Sequence, residues 1–300
     1  MIRPQKASTP MQSLDPVNNH YMTIRIVLLA LLSYLSLSCT QNTSKPEPLF
    51  NGNDLNGWDT YLGPTYDTLL NNFDTLQVSG LNNDPHEVFS VVQADGQPAI
   101  RVSGENFGGL STTREFKNYH LTMQFKWGSQ RWHPRKDKKR DSGLLYHAVG
   151  PHGADYGFWM RSQEFQIQEG DCGDYWGVAG GSFQIPASKQ NEEYMYDPTG
   201  QLLTFNEANK EVGRRCIKMP DAEKATGKWN TIEVYTLGDT AVHVVNGVVN
   251  MILYHSSQLD GGSLTPLKQG KIQLQSEGAE VFYRNILIQP IQEIPATVLH

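Results

Sequence analysis

From residue 119 to 127 the chain alternates. Tyr119, Leu121, Met123, Phe125 and Trp127 are apolar, and His120, Thr122, Gln124 and Lys126 between them are polar. Residues two apart share one face of a β-strand, so this period predicts a strand with one dry and one wet face. The same reading predicts strands over residues 89–92 and 99–102, joined by an Asp95-Gly96 turn, and over 143–149. Residues 229–237, 241–245 and 248–254 form a meander through Gly238-Asp239 and Asn246-Gly247, the latter a strong hairpin signal between Val-rich runs. Residues 271–277 and 281–289 close the sheet. Residues 59–86 read as irregular, and 170–228 as a long excursion with scattered short strands. No amphipathic helix of ordinary length appears. The pattern predicts an all-β domain of about a dozen strands in two packed antiparallel sheets.

One strand breaks the usual inside–outside logic. In residues 164–168, Phe165 and Ile167 point one way and Glu164, Gln166 and Gln168 the other. A row of carboxylate and amides costs desolvation if merely buried. It suits the floor of a polar cleft, and sugars want such floors because each hydroxyl needs a donor and an acceptor.

Composition narrows the class. With 27 Gly and 16 Pro, the chain suits turn-rich β structure better than a helical bundle. A net charge of −6 disfavours nucleic acid as a partner. Basic residues cluster over 131–140, either as a solvated loop or as a cationic rim over an anionic or enolate-forming ligand.

The N-terminus reads as a targeting segment. Arg25 precedes an apolar run over 26–37, too short to span a bilayer comfortably, and the run ends at Ser38-Cys39. Residues 1–39 are expected to be an N-terminal extension and lipoprotein signal segment with lipid on Cys39, and 40–47 a tether. The domain proper is expected over 48–300. These features place the protein as an exported bacterial lipoprotein of the periplasm or outer membrane, touching membrane only through its anchor. In an oxidising compartment Cys172 and Cys216 either pair as a disulfide or stay free.

Several segments together resemble one family. They are 49–58, with Leu49-Phe50-Asn51-Gly52 and Gly57-Trp58; 141–147, Asp141-Ser142-Gly143-Leu144-Leu145-Tyr146-His147; and 164–167. Gly227-Lys228-Trp229-Asn230, Val244-Val245-Asn246-Gly247, and 272–278 through Tyr283-Arg284-Asn285-Ile286 complete the set. In order and spacing these resemble the 3-keto-disaccharide (3-keto-glycoside) hydrolases over roughly residues 47–290. Where that family closes with His-Gly, this chain has Glu277-Gly278. The resemblance implies a concanavalin-like jelly-roll sandwich and an oxidised oligosaccharide or glycoside as substrate.

A ketone at C3 acidifies the proton at C2. Its removal gives an enediolate that expels the group on C1, and water can then add back. Such a site needs a base, a cation for the enediolate oxygen and a donor for the departing oxygen, but no redox cofactor. His147 is the candidate base, since imidazole titrates near 6.5. Glu164 and Glu169 are candidate acids, and Lys126 and Arg140 candidate enediolate stabilisers. Gln166 and Gln168, with Asp141, Gln275 and Glu277, are candidate sugar contacts. Trp159 and Trp176 are candidate stacking walls, and Trp127 a weaker one because it sits on an apolar face. Glu164, Glu169, Asp171 and Asp174 form an oxygen-rich run suited to Ca²⁺, Mg²⁺ or Mn²⁺, or else a solvated acidic turn.

Two other functions fit the same strand. Glu164-x-Gln166-x-x-Glu169 is similar to the acid pair of jelly-roll retaining glucanases, with Gln166 where those have Asp. Residues five apart face opposite ways on a regular strand, so that dyad needs a bulge before Glu169. A non-catalytic carbohydrate-binding lipoprotein is the third reading.

Overall fold

The computed structural model describes Met1 and residues 45–299. Cys39 and residues 2–38, expected to carry the signal and the lipid, lie outside the described residues, as does most of the tether. The described chain holds twenty strands, numbered in chain order, and one 3-10 turn at Ala296–Val298. Every strand pair is antiparallel.

Eight strands form one sheet. Its order is β14 (Arg215–Cys216), β10 (Tyr175–Val178), β9 (Arg161–Gln168), β8 (Asp141–Val149), β19 (Lys271–Ser276), β6 (Gly108–Thr112), β2 (Trp58–Asp67) and β3 (Asn72–Leu81). The second sheet runs β12 (Glu193–Tyr196), β11 (Gly181–Gln190), β17 (Val248–Asp260), β16 (Thr240–Val245), β15 (Asn230–Leu237), β7 (Tyr119–Arg131), β20 (Ala279–Pro290), β5 (Gln97–Val102) and β4 (Phe89–Ala94). To it β1 (Glu47–Pro48) adds on β20, β13 (Gln201–Phe205) on β11 and β18 (Ser263–Pro266) on β17. This is an all-β jelly-roll-type sandwich.

The core between the sheets is what the alternation anticipates. Tyr119, Leu121, Met123, Phe125 and Trp127 of β7 pack in one cluster with Leu144 and Tyr146 of β8, Phe165 and Ile167 of β9 and Leu274 of β19. Each such side chain taken out of water contributes roughly 1.5–3 kcal/mol before the entropy of ordering is subtracted.

Residues 59–86 are more regular than their composition suggests. β2 and β3 each span ten residues and pair along their length, with a register shift between Pro64 and Thr65. The turn between them is closed by Asp67, whose carboxylate accepts from the backbone N–H of Leu69 at 2.7 Å and Leu70 at 3.0 Å. Six of β3's residues are exposed, so apolar periodicity had little to report.

Candidate active site

The site lies on the face of the eight-stranded sheet turned away from the core. On β9 the inward Phe165 and Ile167 are fully buried, and the outward Glu164 and Gln166 are nearly so, at 6% and 7% exposure. Strand register then sets the neighbours. Glu164 stands opposite Leu145 of β8, Gln166 opposite Gly143 and Gln168 opposite Asp141. On the other side of β8, Leu144 and Leu145 pair with Leu274 and Gln273 of β19, which brings Gln275 level with Gly143. Gly143 has no side chain, and Glu164 and Gln275 close over it. A Cβ there would overlap an oxygen of each.

Three carboxyl groups share this patch. Asp141 Oδ2 accepts from Gln168 Nε2 and pairs with the Arg135 guanidinium. Arg135 also reaches Glu277 Oε1 at 3.4 Å. Burial pushes Asp141 up to about 6, against the pull of Arg135 and Gln168. Burial and the neighbouring Asp141 raise Glu164 well above the usual carboxyl range, and Arg214 and the Gln275 amide offset this only partly. Glu277, with 15% of its side chain still exposed, is raised by burial and by Asp141. Carboxyls crowded this way cannot all ionise.

The patch also keeps unspent hydrogen-bonding capacity. Asp141 Oδ1, Gln166 Oε1, Gln275 Oε1 and Arg135 Nε are buried without a partner. Buried polar atoms are nearly always paired, so this grouping leaves the patch with capacity for further polar partners.

The walls are aromatic and cationic. Phe107, Leu145, Phe158, Trp159 and Val178 form a second apolar cluster on this face, and Trp159 Nε1 donates to the Gly108 carbonyl at 3.0 Å. On β10, Trp176 stands opposite Glu164. The guanidiniums of Arg214 and Arg215 lie 5.4 and 5.6 Å from its ring centre. Arg214 pairs with the buried Asp155 at 3.3 Å.

The structure thus brings together Asp141, Glu164, Gln166, Gln168, Gln275 and Glu277, with Trp159 and Trp176 as flanks. The other expected site residues lie elsewhere. His147 is a correction. A bulge falls between Tyr146 and Val149, and His147 takes φ +51° there. Its ring packs against Tyr119 and Tyr146 of the core at 1% exposure, and burial lowers its pKa to about 4. It is therefore walled off from the outer face. Lys126 is on the far face of the other sheet, paired with Asp95 at 2.7 Å and 5.2 Å from the Trp229 ring centre. Trp127 is in the core.

Arg140 and Glu169 neutralise each other at 2.6 Å past the end of β9. Burial pushes Glu169 up, but Thr226 and Arg140 outweigh it and hold the carboxyl below its ordinary value. A carboxylate so tied down is neither a glucanase acid nor a partner for Glu164. The proposed metal quartet does not converge either. Asp171 pairs with Lys139 at 2.7 Å, and Asp174 is fully buried against Arg215 at 2.7 Å. Among the described residues no three His, Cys, Asp or Glu side chains group to hold a metal ion. Cys172 and Cys216 are free and buried, and burial pushes both thiols up.

Three residues of the site escaped the sequence reading: Arg135, Arg214 and Asp155. The basic run over 131–140 does supply a cation to the site, but through Arg135 rather than Arg140. Arg214 and Asp155 sit in loops far apart in the chain, and no local pattern links them.

Comparison with known proteins adds to this picture. Residues 45–289 match the model of the 3-keto-alpha-glucoside-1,2-lyase-like domain. No curated protein matches the chain. A candidate glycosyl hydrolase of Parabacteroides distasonis ATCC 8503, solved at 1.70 Å, is 18% identical over 82% of this chain and 94% of its own, with TM-score 0.43. A second solved structure of that description from the same organism is 18% identical over 79% and 100%, with TM-score 0.41. LamAcat of Zobellia galactanivorans is 8% identical over 85% and 99%, with TM-score 0.44. Matched across most of its length, this carbohydrate-active chain belongs to the family of 3-keto-alpha-glucoside-1,2-lyase-like domains.

Proposed function

We propose that the protein cleaves 3-keto-glycosides by removing the C2 proton and eliminating the group on C1. The observation that carries this reading is a patch of three crowded carboxyl groups, two of them, Asp141 and Glu277, paired with Arg135, on a face whose neighbouring oxygens lack partners. Asp141, titrating near 6, is ionised at neutral pH and takes the C2 proton. Arg135, beside it, stabilises the enediolate oxygen. Glu164, kept neutral by burial, gives its proton to the departing oxygen as the C1–O bond breaks and the C1=C2 bond forms. Glu277, raised by burial and Asp141, holds its proton against Asp141 and keeps that carboxylate in place. Gln166, Gln168 and Gln275 meet sugar hydroxyls. Water added at C1 afterwards turns elimination into net hydrolysis.

The test is incubation with a chemically made 3-keto glucoside and with the parent glucoside, followed by NMR. We expect turnover of the ketone alone, abolished in Glu164→Gln and Asp141→Asn proteins that still unfold cooperatively. Equal turnover of the parent glucoside overturns the reading, and binding of both without turnover of either makes this a carbohydrate-binding domain.

A further inference from the structure

A cleft of about 620 Å³ lies between the β2–β3 hairpin and the turn at Trp132 and His133. None of the carboxyl-patch residues lines it, so it is a feature separate from the proposed reaction. Its volume falls within the range of small-molecule sites, roughly 300–1,000 Å³. The lining is mostly polar. The side chains of Thr65, Thr68, Gln77, His86, Glu105 and Asn106 make no hydrogen bond or ion pair with other described residues. Hydroxyls, amides and imidazoles of this kind both donate and accept. The lining holds no Lys or Arg and a single carboxylate, Glu105, so charge does not recruit an anion here.

Two aromatic rings on the same lining are held in fixed poses. The Tyr66 hydroxyl donates to Asn71 Oδ1 at 2.6 Å, and Phe73 packs edge-on against its ring at 5.2 Å. The ring of His133 lies within 7° of parallel to that of Tyr66, with centres 6.4 Å apart. Trp132 Nε1 donates to the Ser103 carbonyl at 3.0 Å. The polar handles of Tyr66 and Trp132 are thus spent on the protein, and what these side chains have left to offer a ligand is ring surface. A ligand that matches both parts of the lining is neutral, carries hydroxyls that donate and accept, and has apolar C–H faces between them. We propose that this cleft is a second, non-catalytic carbohydrate site that holds a neutral oligosaccharide, with Tyr66 and Trp132 against its C–H faces and Gln77 and His86 among the groups that meet its hydroxyls.

The experiment screens the protein on immobilised, unoxidised neutral hexose oligosaccharides, with uronate-containing and sulfated oligosaccharides alongside. Calorimetry on the soluble form of the strongest binder then gives its affinity. We expect a neutral oligosaccharide to be preferred. A Gln77→Ala/His86→Ala protein should bind it roughly tenfold more weakly, the size of step two lost hydrogen bonds give. Both positions are exposed, so the protein folds as before. Tyr66→Ala should weaken binding by a similar factor, and Tyr66→Phe, which keeps the ring, should restore it. Turnover of a 3-keto glucoside should be the same in the Gln77→Ala/His86→Ala protein as in the parent. Three results overturn the assignment: no neutral oligosaccharide is bound, the acidic ones bind as tightly, or affinity is unmoved in the double variant. Turnover that falls in step with affinity would overturn the separation of this cleft from the reaction. Absence of 3-keto turnover in the parent sinks the proposed reaction, while the binding series still decides the cleft.

Discussion

Gln163 and Gln166 stand three residues apart on β9 and live under opposite conditions. Gln163 faces the core, where its amide nitrogen donates to the carbonyls of Ser182 at 3.1 Å and Ser257 at 2.9 Å. Its oxygen accepts the Tyr175 hydroxyl at 2.7 Å. Gln166 faces outward, is nearly as withdrawn from water, and has an oxygen with no partner. A buried polar atom left unpaired costs about 1–3 kcal/mol. The inner amide therefore holds the fold together. The outer one weakens it slightly and keeps its bonding capacity unspent, as the proposed sugar contact requires.

The strongest way to sharpen this contrast is to disable the outer face. Glu164→Gln should lower turnover of a 3-keto glucoside by roughly 10²–10⁴-fold, the range a lost acid costs. Its urea midpoint should hold or rise, because a buried ionisable group is gone. The inverse should hold inside: Gln163→Leu strands the Tyr175 hydroxyl and two carbonyls, so urea unfolding should show a loss of about 2–4 kcal/mol.

Next in size is an opposition in pH dependence. His243 is fully buried between the Tyr146 hydroxyl at 2.9 Å and the Gly173 carbonyl at 3.1 Å, and burial lowers it to about 3. His147 falls to about 4 for the same reason. For a depressed histidine the unfolded chain takes up protons first. That stability is present above about 6.5 and is lost as pH falls towards 4 and 3, by several kcal/mol in all. Asp141 has the opposite sign. Its raised pKa gives stability that is full below the ordinary carboxyl range and is lost as pH rises through about 6. Urea midpoints from pH 4 to 8 should therefore fall at the acid end, and Asp141→Asn should lift the neutral and alkaline end. The proposed reaction, by contrast, should speed up as pH rises through about 6, where Asp141 becomes an effective base. The smallest effect is at Gln166 itself. Gln166→Leu should change stability by no more than about 1 kcal/mol, yet weaken binding of a glucoside measured by calorimetry.

How far the sequence carried this depends on the range of the cause. Alternation through β7 and β9 is a local property, so the core strands and the outward row from Glu164 to Gln168 were legible. β2 and β3 were not, because most of β3 is exposed and carries little apolar period. His147 was misread because one extra residue in the β8 ladder turns its ring into the core. Nothing local announces such a bulge. The acidic run over 164–174 looked like one cluster in the chain. In space, Glu169, Asp171 and Asp174 are each met by basic side chains from other segments, with Arg215 shared between Asp171 and Asp174. Arg135 was within the recognised basic run, but choosing it over Arg140 required knowing which loop residue reaches Asp141.

Gly143 has a consequence for redesign. The floor beneath Glu164 and Gln275 is formed by an absent atom, so its depth is adjustable without changing any reacting group. A single methyl at that position would lift the Glu164 carboxyl and the Gln275 amide from the sheet while leaving both chemically intact. Gly143→Ala thus separates where the groups stand from what they are. A directed-evolution campaign for altered sugar stereochemistry has there a dial set by one carbon.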